Sequence, residues 1–218
     1  MTRTAPGVAA VVTALLLGVT GCGNDAGATV GTVQTPAAQS SGAAVQKAPK
    51  SALAGLVVLP RGYVADPRSA AGPFTATTFL ANWSAVPAVD RALLLNAGFV
   101  DGYRASRVSA DKKKQFTVQL FKAASAAKAQ TLQQGFWDQD THEHSFGVPG
   151  ALSDAKVQYD GGTGQSEAIA EVSFVVNTLV VQLSVRQASA LGTNPTPDTA
   201  LLKAIAKEQR ARLTTSKS

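Results

Sequence analysis

The side chains best suited to metal chemistry lie in one short polar segment, residues 138–144. His142 and His144 are the two histidines of the chain, and Asp140 precedes the first of them by two residues. In an extended loop these three side chains would point to the same side, and they form a nitrogen and oxygen set that suits zinc or copper. The spacing differs from His-Glu-x-x-His, in which a helix aims both rings at one metal. A solvated polar loop is the simpler interpretation, because such side chains are usually exposed.

Candidate nucleophiles are weaker than this metal-ligand candidate. Ser125 and Lys128 match the Ser-x-x-Lys pattern of penicillin-binding enzymes, but the Ser-x-Asn and Lys-Thr-Gly elements that those enzymes also need are absent from the sequence. A role as helix N-cap is a sufficient explanation of the serine. The glycine-rich stretch 161–164 lacks the lysine of a P-loop and predicts a turn. The sequence therefore predicts no catalytic residue and no cofactor.

Cys22 is the one cysteine of the chain, which excludes an intrachain disulfide and any site of several cysteines. It follows an apolar run of 12 residues, 8–19, and Arg3 is the charged residue that precedes this run. A membrane-spanning helix needs about 20 residues to cross a ~30 Å hydrocarbon core. The shorter run behind a basic start is instead typical of the apolar part of a signal peptide.

The residues Val19-Thr20-Gly21-Cys22 that end this run resemble the lipobox of bacterial membrane lipoproteins. The resemblance implies that the Cys22 thiol is joined to diacylglycerol, that the bond after Gly21 is cleaved, and that acyl chains such as palmitate hold the protein at the extracytoplasmic face of the cell membrane. Two acyl chains, at ~0.8 kcal/mol per buried methylene, suffice for stable anchoring. An ordinary signal peptide that happens to end in a cysteine is the alternative.

The sequence predicts three regions: a signal peptide over residues 1–21, a lipid-anchored flexible linker over 22–50, and one folded domain over 51–218. Residues 23–50 contain no aromatic residue, leucine or isoleucine, so they cannot bury enough surface to repay the entropy lost on ordering. The net charge of the chain, +6, can favour anionic lipid or wall polymers. It lacks the clustered basic stripe with interleaved aromatic residues that nucleic-acid binding requires.

Apolar periodicity and turn residues predict the elements of the domain. We expect strands at Leu56–Leu59, Gly102–Val108, Gln115–Phe121, Ala170–Val176 and Leu179–Val185, a weak helical turn at 75–83, and helices at Pro87–Ala97, after Ser125, and from Thr196 to about Leu213. Helices and hairpins mixed without a βαβ rhythm predict an α+β fold, with an antiparallel sheet and helices packed mainly on one face. Trp83, Trp137 and Tyr103 could line a pocket, but a core position is expected. Lys112–Lys114 is predicted to be a solvated hairpin tip, with contact to anionic lipid as the alternative.

The step from Gly98-Phe99 to Gly102-Tyr103, the strand Phe116–Phe121 and the hairpin 170–186 loosely resemble small actinobacterial envelope lipoproteins with a PsbP-like or sensor-like domain. That resemblance implies a ligand- or partner-binding module. We therefore expect a non-catalytic envelope protein whose partner, beyond the membrane itself, is an envelope lipid, a wall polymer or another protein. The alternatives are a metal-dependent envelope enzyme that uses His142 and His144, and a structural protein that contacts the wall.

Overall fold

The computed structural model describes residues 51–69, 71–160, 162–190 and 192–216. The predicted signal peptide, the linker, the cleavage site at Gly21 and the lipid anchor at Cys22 lie outside the described residues. The elements, in chain order, are a 3-10 helix (Ala52–Leu56), β1 (Val64–Ala65), β2 (Gly72–Phe74), α1 (Ala76–Asn82), α2 (Pro87–Ala97), β3 (Asp101–Val108), β4 (Lys114–Lys122), α3 (Ala126–Trp137), β5 (Leu152–Asp160), β6 (Gln165–Val176), β7 (Leu179–Ala190) and α4 (Thr199–Thr215).

Seven strands form one open antiparallel sheet in the order β1-β3-β4-β7-β6-β5, and β2 also pairs with β3. The β3–β4 and β6–β7 hairpins occur where the alternating pattern predicts them. Asn177 begins the two-residue turn between β6 and β7 with φ of 54°, a conformation that asparagine tolerates better than most residues. The predicted α+β fold with an antiparallel sheet is confirmed.

One face of the sheet is apolar over most of its area. Successive strand residues point to opposite faces, and on β4 the residues Phe116, Val118 and Leu120 all point to this face with 0% exposure. Helix α4 covers it with Leu202, Ile205 and other buried side chains, together with residues of the 3-10 helix and the extended segment that follows it.

The opposite face is covered only in part. Three of the four helices, α1, α2 and α3, pack here over Phe121 and Val180. The rings that join these helices to the sheet are Phe74, Phe79, Phe99, Phe121 and Phe136, with neighbouring centroids 5.0–6.2 Å apart. Helices thus lie on both faces, with most of them on this one.

The ends of α2 and α3 follow from their sequence. Gly98 closes α2 in the left-handed conformation, φ 58° and ψ 50°, and its N–H and that of Phe99 bond to carbonyls in the last turn. The Ser125 hydroxyl accepts the Lys128 N–H, 3.3 Å away, and caps α3 as expected. The last helix begins at Thr199, later than predicted, because Asp198 is its N-cap and accepts the Leu201 N–H at 3.1 Å.

The strand predicted at Leu56–Leu59 is wrong. A 3-10 helix ends at Leu56, and the residues after it pair with no strand. The fully buried side-chain amide of Gln209 on α4 takes the place of a partner strand: its Oε1 accepts the Val58 N–H and its Nε2 donates to the Leu56 carbonyl, both at 2.7 Å. The apolar run is therefore buried, as its composition demands, but its backbone is paired by a helix side chain.

Candidate ligand-binding cleft

The face of the sheet on which α1, α2 and α3 pack is left uncovered at one end. This uncovered part forms the floor of a cleft of about 410 Å³. Strands β3, β4, β7 and β6 supply the floor, and Trp83, Phe136 and Trp137 supply a wall where α1 and α3 end. The volume of the cavity lies within the usual range of ligand sites, ~300–1,000 Å³. Aromatic side chains are also common in the walls of such sites. We call this cavity the cleft.

Two rows of polar side chains cross the floor, because the strand register aligns them on one face. The first row is Arg104, Gln119, Gln182 and Ser173, on β3, β4, β7 and β6 in that order. The second row is Ser106, Thr117, Ser184 and Glu171, on the same four strands. At ~4.8 Å between neighbouring strands, each row extends about 14 Å. The floor is therefore a broad surface of hydrogen-bonding groups and not a single polar point.

Two polar atoms of the first row are buried without a hydrogen-bond partner in the described part of the chain, Arg104 Nε and Ser173 Oγ. A buried polar atom left without a partner costs ~1–3 kcal/mol. Both residues line the cleft, at opposite ends of the row. The floor thus retains unmet hydrogen-bonding capacity at the place where a ligand would lie.

Arg104 is the dominant cation of the cleft. Its guanidinium lies 5.1 Å from the centroid of the Trp83 ring, and Nη2 makes one long hydrogen bond, 3.4 Å, to Ser69 Oγ. Burial lowers the pKa of Arg104 and the nearby Arg186 lowers it further, whereas Asp66 opposes the change. The guanidinium remains protonated at neutral pH. The floor of the cleft therefore carries the positive charge of Arg104 close to that of Arg186.

Glu171 and Arg186 lie at the other side of the floor. Arg186 Nη2 is 3.7 Å from Glu171 Oε1, and Arg186 Nη1 is 3.3 Å from Glu167 Oε2. Burial raises the pKa of Glu171, and the charge of Arg186 acts in the opposite direction. The carboxyl and the guanidinium are thus partly neutralised by each other.

The polar segment 138–144 folds back against the cleft. The Asp140 carboxylate accepts from Lys156 Nζ at 2.6 Å. The ring of His142 stacks on Trp137, with centroids 4.0 Å apart and 7° between the planes, and its Nε2 is 2.8 Å from the Trp137 carbonyl oxygen. Asp140 and His142 line the cleft.

His144 does not join them. Its side chain is 78% exposed, and its closest ionic neighbour is Glu143, 3.8 Å away. Within the residues that the structure describes, no three histidine, cysteine or carboxylate side chains are placed to hold one metal ion. The structure therefore brings Asp140 and His142 to one wall of the cleft but does not assemble Asp140, His142 and His144 as a ligand set.

The segment is held by buried Asp154 on β5. Its Oδ1 accepts the backbone N–H groups of Glu143 and His144 at 2.7 and 2.8 Å. Its Oδ2 has no hydrogen-bond partner among the described residues and lies 3.8 Å from His142 Nδ1. The carboxylate thus fixes the backbone of the predicted metal loop from below.

The other candidate residues have structural surroundings. Ser125 is an exposed helix cap, and the Lys128 side chain donates to the Asn96 carbonyl. Lys112 and Lys113 are exposed at the β3–β4 turn, whereas Lys114 pairs with Asp198 at 2.6 Å. Tyr103 and Trp83 pack against the two apolar clusters, as expected, while Trp83 and Trp137 also line the cleft.

Comparison with known proteins finds a likeness among solved structures. No family model matches the chain, and no curated protein matches it in sequence. The solved extracellular domain of PknH from Mycobacterium tuberculosis is similar to this chain with a TM-score of 0.46 and 11% sequence identity, over 75% of this chain and 95% of that domain. Among the described residues, no helix combines the length and apolar character needed to cross a membrane.

Proposed function

We propose that this chain is a lipid-anchored envelope protein whose folded domain binds a polar ligand in the cleft and does not transform it. The observation that carries the proposal is the cleft floor, where Arg104 Nε and Ser173 Oγ are buried without protein partners beneath an aromatic wall. Buried polar groups in proteins are nearly always paired. Two of the four described buried side-chain atoms that lack a partner belong to residues that line this one cavity, which favours a bound molecule there as their partner.

The hydroxyl groups of the cleft argue against nucleophilic catalysis. Thr117, Ser173 and Ser184 line the floor, and within the described chain none of them is hydrogen-bonded to a histidine or a carboxylate. A serine or threonine nucleophile needs such a base to be activated. His142, the imidazole in the cleft lining, has Nε2 2.8 Å from the Trp137 carbonyl oxygen and Nδ1 3.8 Å from Asp154 Oδ2, so both nitrogens have neighbours other than a floor hydroxyl.

The anchor rests on the sequence. Cys22 follows a signal-peptide pattern in a lipobox, and 28 residues separate it from the first described residue, Ser51. The linker predicted for these residues would, as a coil, hold a cleft-bearing domain within roughly 30 Å of the membrane surface. A binding module that samples ligands in the envelope fits such an arrangement.

Native mass spectrometry of the full-length lipidated protein, extracted from its own membrane, tests the binding proposal. The wild type should retain a small molecule, and Ser184→Trp, which fills the middle of the floor, should lose it. Ala188→Trp is the matched control, because Ala188 is exposed on the same strand and outside the cleft lining. A wild type without a retained mass, or a retained mass that Ser184→Trp leaves in place, would refute the assignment of the cleft.

A further inference from the structure

We propose that the ligand of the cleft is an anionic saccharide, whose carboxylate or phosphate pairs with Arg104 and whose hydroxyl groups bond to the floor. This inference rests on the proposed binding function and names the chemical class of its ligand. It follows from the charge balance of the cavity, the chemistry of its floor, its aromatic wall and its length.

The ion pairs in the described part of the chain include one of the two arginines that line the cleft, Arg186, and leave the other, Arg104, unpaired. Asp140 is paired with Lys156, and Glu171 and Arg186 face each other. Arg104 forms no ion pair with any carboxylate in the described part of the chain. A partly buried guanidinium with no carboxylate within 4.0 Å, and only the more distant charge of Asp66, favours a ligand that brings a negative charge, and its planar donors suit carboxylate or phosphate oxygens.

Between Arg104 at one side and the Glu171–Arg186 pair at the other, the floor is neutral and rich in both donors and acceptors. Gln119 and Gln182 each present an amide with donor and acceptor atoms, and Thr117, Ser173 and Ser184 present hydroxyl groups. Groups that donate and accept equally match a ligand made of hydroxyl groups, since a sugar hydroxyl also does both. A floor built for a purely anionic ligand would instead carry several cations.

The wall and the extent of the cavity suit sugar rings. Trp83 and Trp137 offer aromatic surface, which packs against apolar groups and tolerates a polar neighbour. A second cavity of about 540 Å³, lined also by Arg68, shares Trp83, Arg104 and Gln115 with the cleft. Arg104 therefore lies between two neighbouring cavities, and a ligand of more than one ring could contact it from both.

Isothermal titration of the full-length lipidated protein in detergent micelles tests this assignment with four probes: glucuronate, glucose 6-phosphate, glucose and inorganic phosphate. At low salt, at least one of the two charged sugars should bind about tenfold more tightly than glucose, since hydrogen bonds to charged groups are worth more than neutral ones. The two charged sugars distinguish a carboxylate from a phosphate. Inorganic phosphate should bind more weakly than both, because it lacks hydroxyl groups for the floor.

Variants locate the effect. Arg104→Gln should abolish the preference for charged sugars and leave glucose affinity nearly unchanged, while Arg104→Lys should retain part of the preference. Arg91→Gln is the matched control, because Arg91 is exposed on α2 and lies outside both cavities. Where Arg104→Gln fails to fold, Gln119→Ala and Gln182→Ala serve instead, and each should weaken all three sugars alike.

Three results would overturn the inference. Equal affinity for glucose and the charged sugars would show that Arg104 does not pair with a negative charge on the ligand. Inorganic phosphate that binds as tightly as the tighter of the two charged sugars would show that the sugar hydroxyl groups contribute nothing. If none of the four probes gives a heat of binding, the ligand is not a saccharide of this class. In each case a small molecule retained in native mass spectrometry, and lost in Ser184→Trp, would still support the proposed binding function.

Discussion

Replacing Gly102 with alanine tests how the aromatic cluster fixes the helices on the sheet. A Cβ at Gly102 would lie 2.2 Å from Phe74 Cζ, whereas carbon atoms in contact normally stand ~3.5–4.0 Å apart. The Phe74 ring has little room to retreat, because four other rings pack around it with centroids 5.3–6.0 Å away: Phe79, Trp83, Phe99 and Phe121. Overpacking a filled core costs ~1–3 kcal/mol, and an overlap of this size places Gly102→Ala near the upper end, about 3 kcal/mol.

Equilibrium unfolding of the full chain in urea, followed by far-ultraviolet circular dichroism, measures this loss. In thermal unfolding of the same protein, each kcal/mol of lost stability lowers the Tm of a chain of this length by ~2–4 °C. The Tm of Gly102→Ala should therefore lie roughly 6–12 °C below that of the wild type. Gly55→Ala is the control, since a Cβ there meets nothing within 4 Å, and it should change stability by less than about 1 kcal/mol. Phe74→Leu should reduce the cost of Gly102→Ala, because the shorter side chain withdraws the overlapping atoms. A Gly102→Ala protein as stable as the wild type would refute the packing of Phe74 over β3.

Three further outcomes are expected. Cys22→Ser should abolish lipid labelling and membrane retention, and a variant that stays in the membrane fraction would contradict the anchor. Gln209→Leu should cost roughly 2–4 kcal/mol in urea unfolding, because it leaves Val58 N–H and the Leu56 carbonyl unpaired; Glu208→Leu on the exposed side of α4 should cost far less. Burial would raise the pKa of Asp66, but hydrogen bonds from Arg68, Gln115 and Ser106 outweigh it and lower the pKa below 3.8. The stability lost in Asp66→Asn should therefore be largest above the ordinary carboxyl pKa and shrink as the pH falls through the lower folded value; a difference independent of pH would contradict this.

The parts of the fold that the sequence predicted are those whose pattern is local. In β4 and β7 the alternation assigns each residue to a face, and Gly98 and Ser125 define helix ends through their own backbone and hydroxyl groups. These features depend on residues within one turn or one hairpin, so no knowledge of distant partners was needed.

Strand β5 was missed because its pattern depends on distant residues. Its buried side chains include Ser153, Asp154 and Lys156, which a pattern of apolar alternation cannot identify as inward-facing. Their burial is possible because Asp154 accepts two N–H groups of the segment before it and Lys156 pairs with Asp140. Such pairings form only in the folded chain, and polar residues in a sequence normally indicate exposure.

The candidate site was invisible for a related reason. The residues of the floor, such as Gln119, Gln182 and Ser184, occupy the positions on their strands that a sequence assigns to the solvent side. Only the strand order brings β3, β4, β7 and β6 together, and only the limited cover by α1–α3 makes this polar face concave. An arginine within an alternating strand, Arg104, is a signal that could have drawn attention to this face.

Asp140 and His142, which the sequence suggested as metal ligands, have another role in the cleft. Trp137 is the last residue of α3, so the aromatic core holds the start of the wall through its neighbour Phe136. Beyond it the described contacts that hold the segment are polar or stacking contacts: the Asp140–Lys156 ion pair, His142 stacked against Trp137, and the two backbone N–H groups bound by buried Asp154. The cleft is thus bounded on the helix side by the aromatic core and on the other side by a segment whose place depends on polar partners on β5.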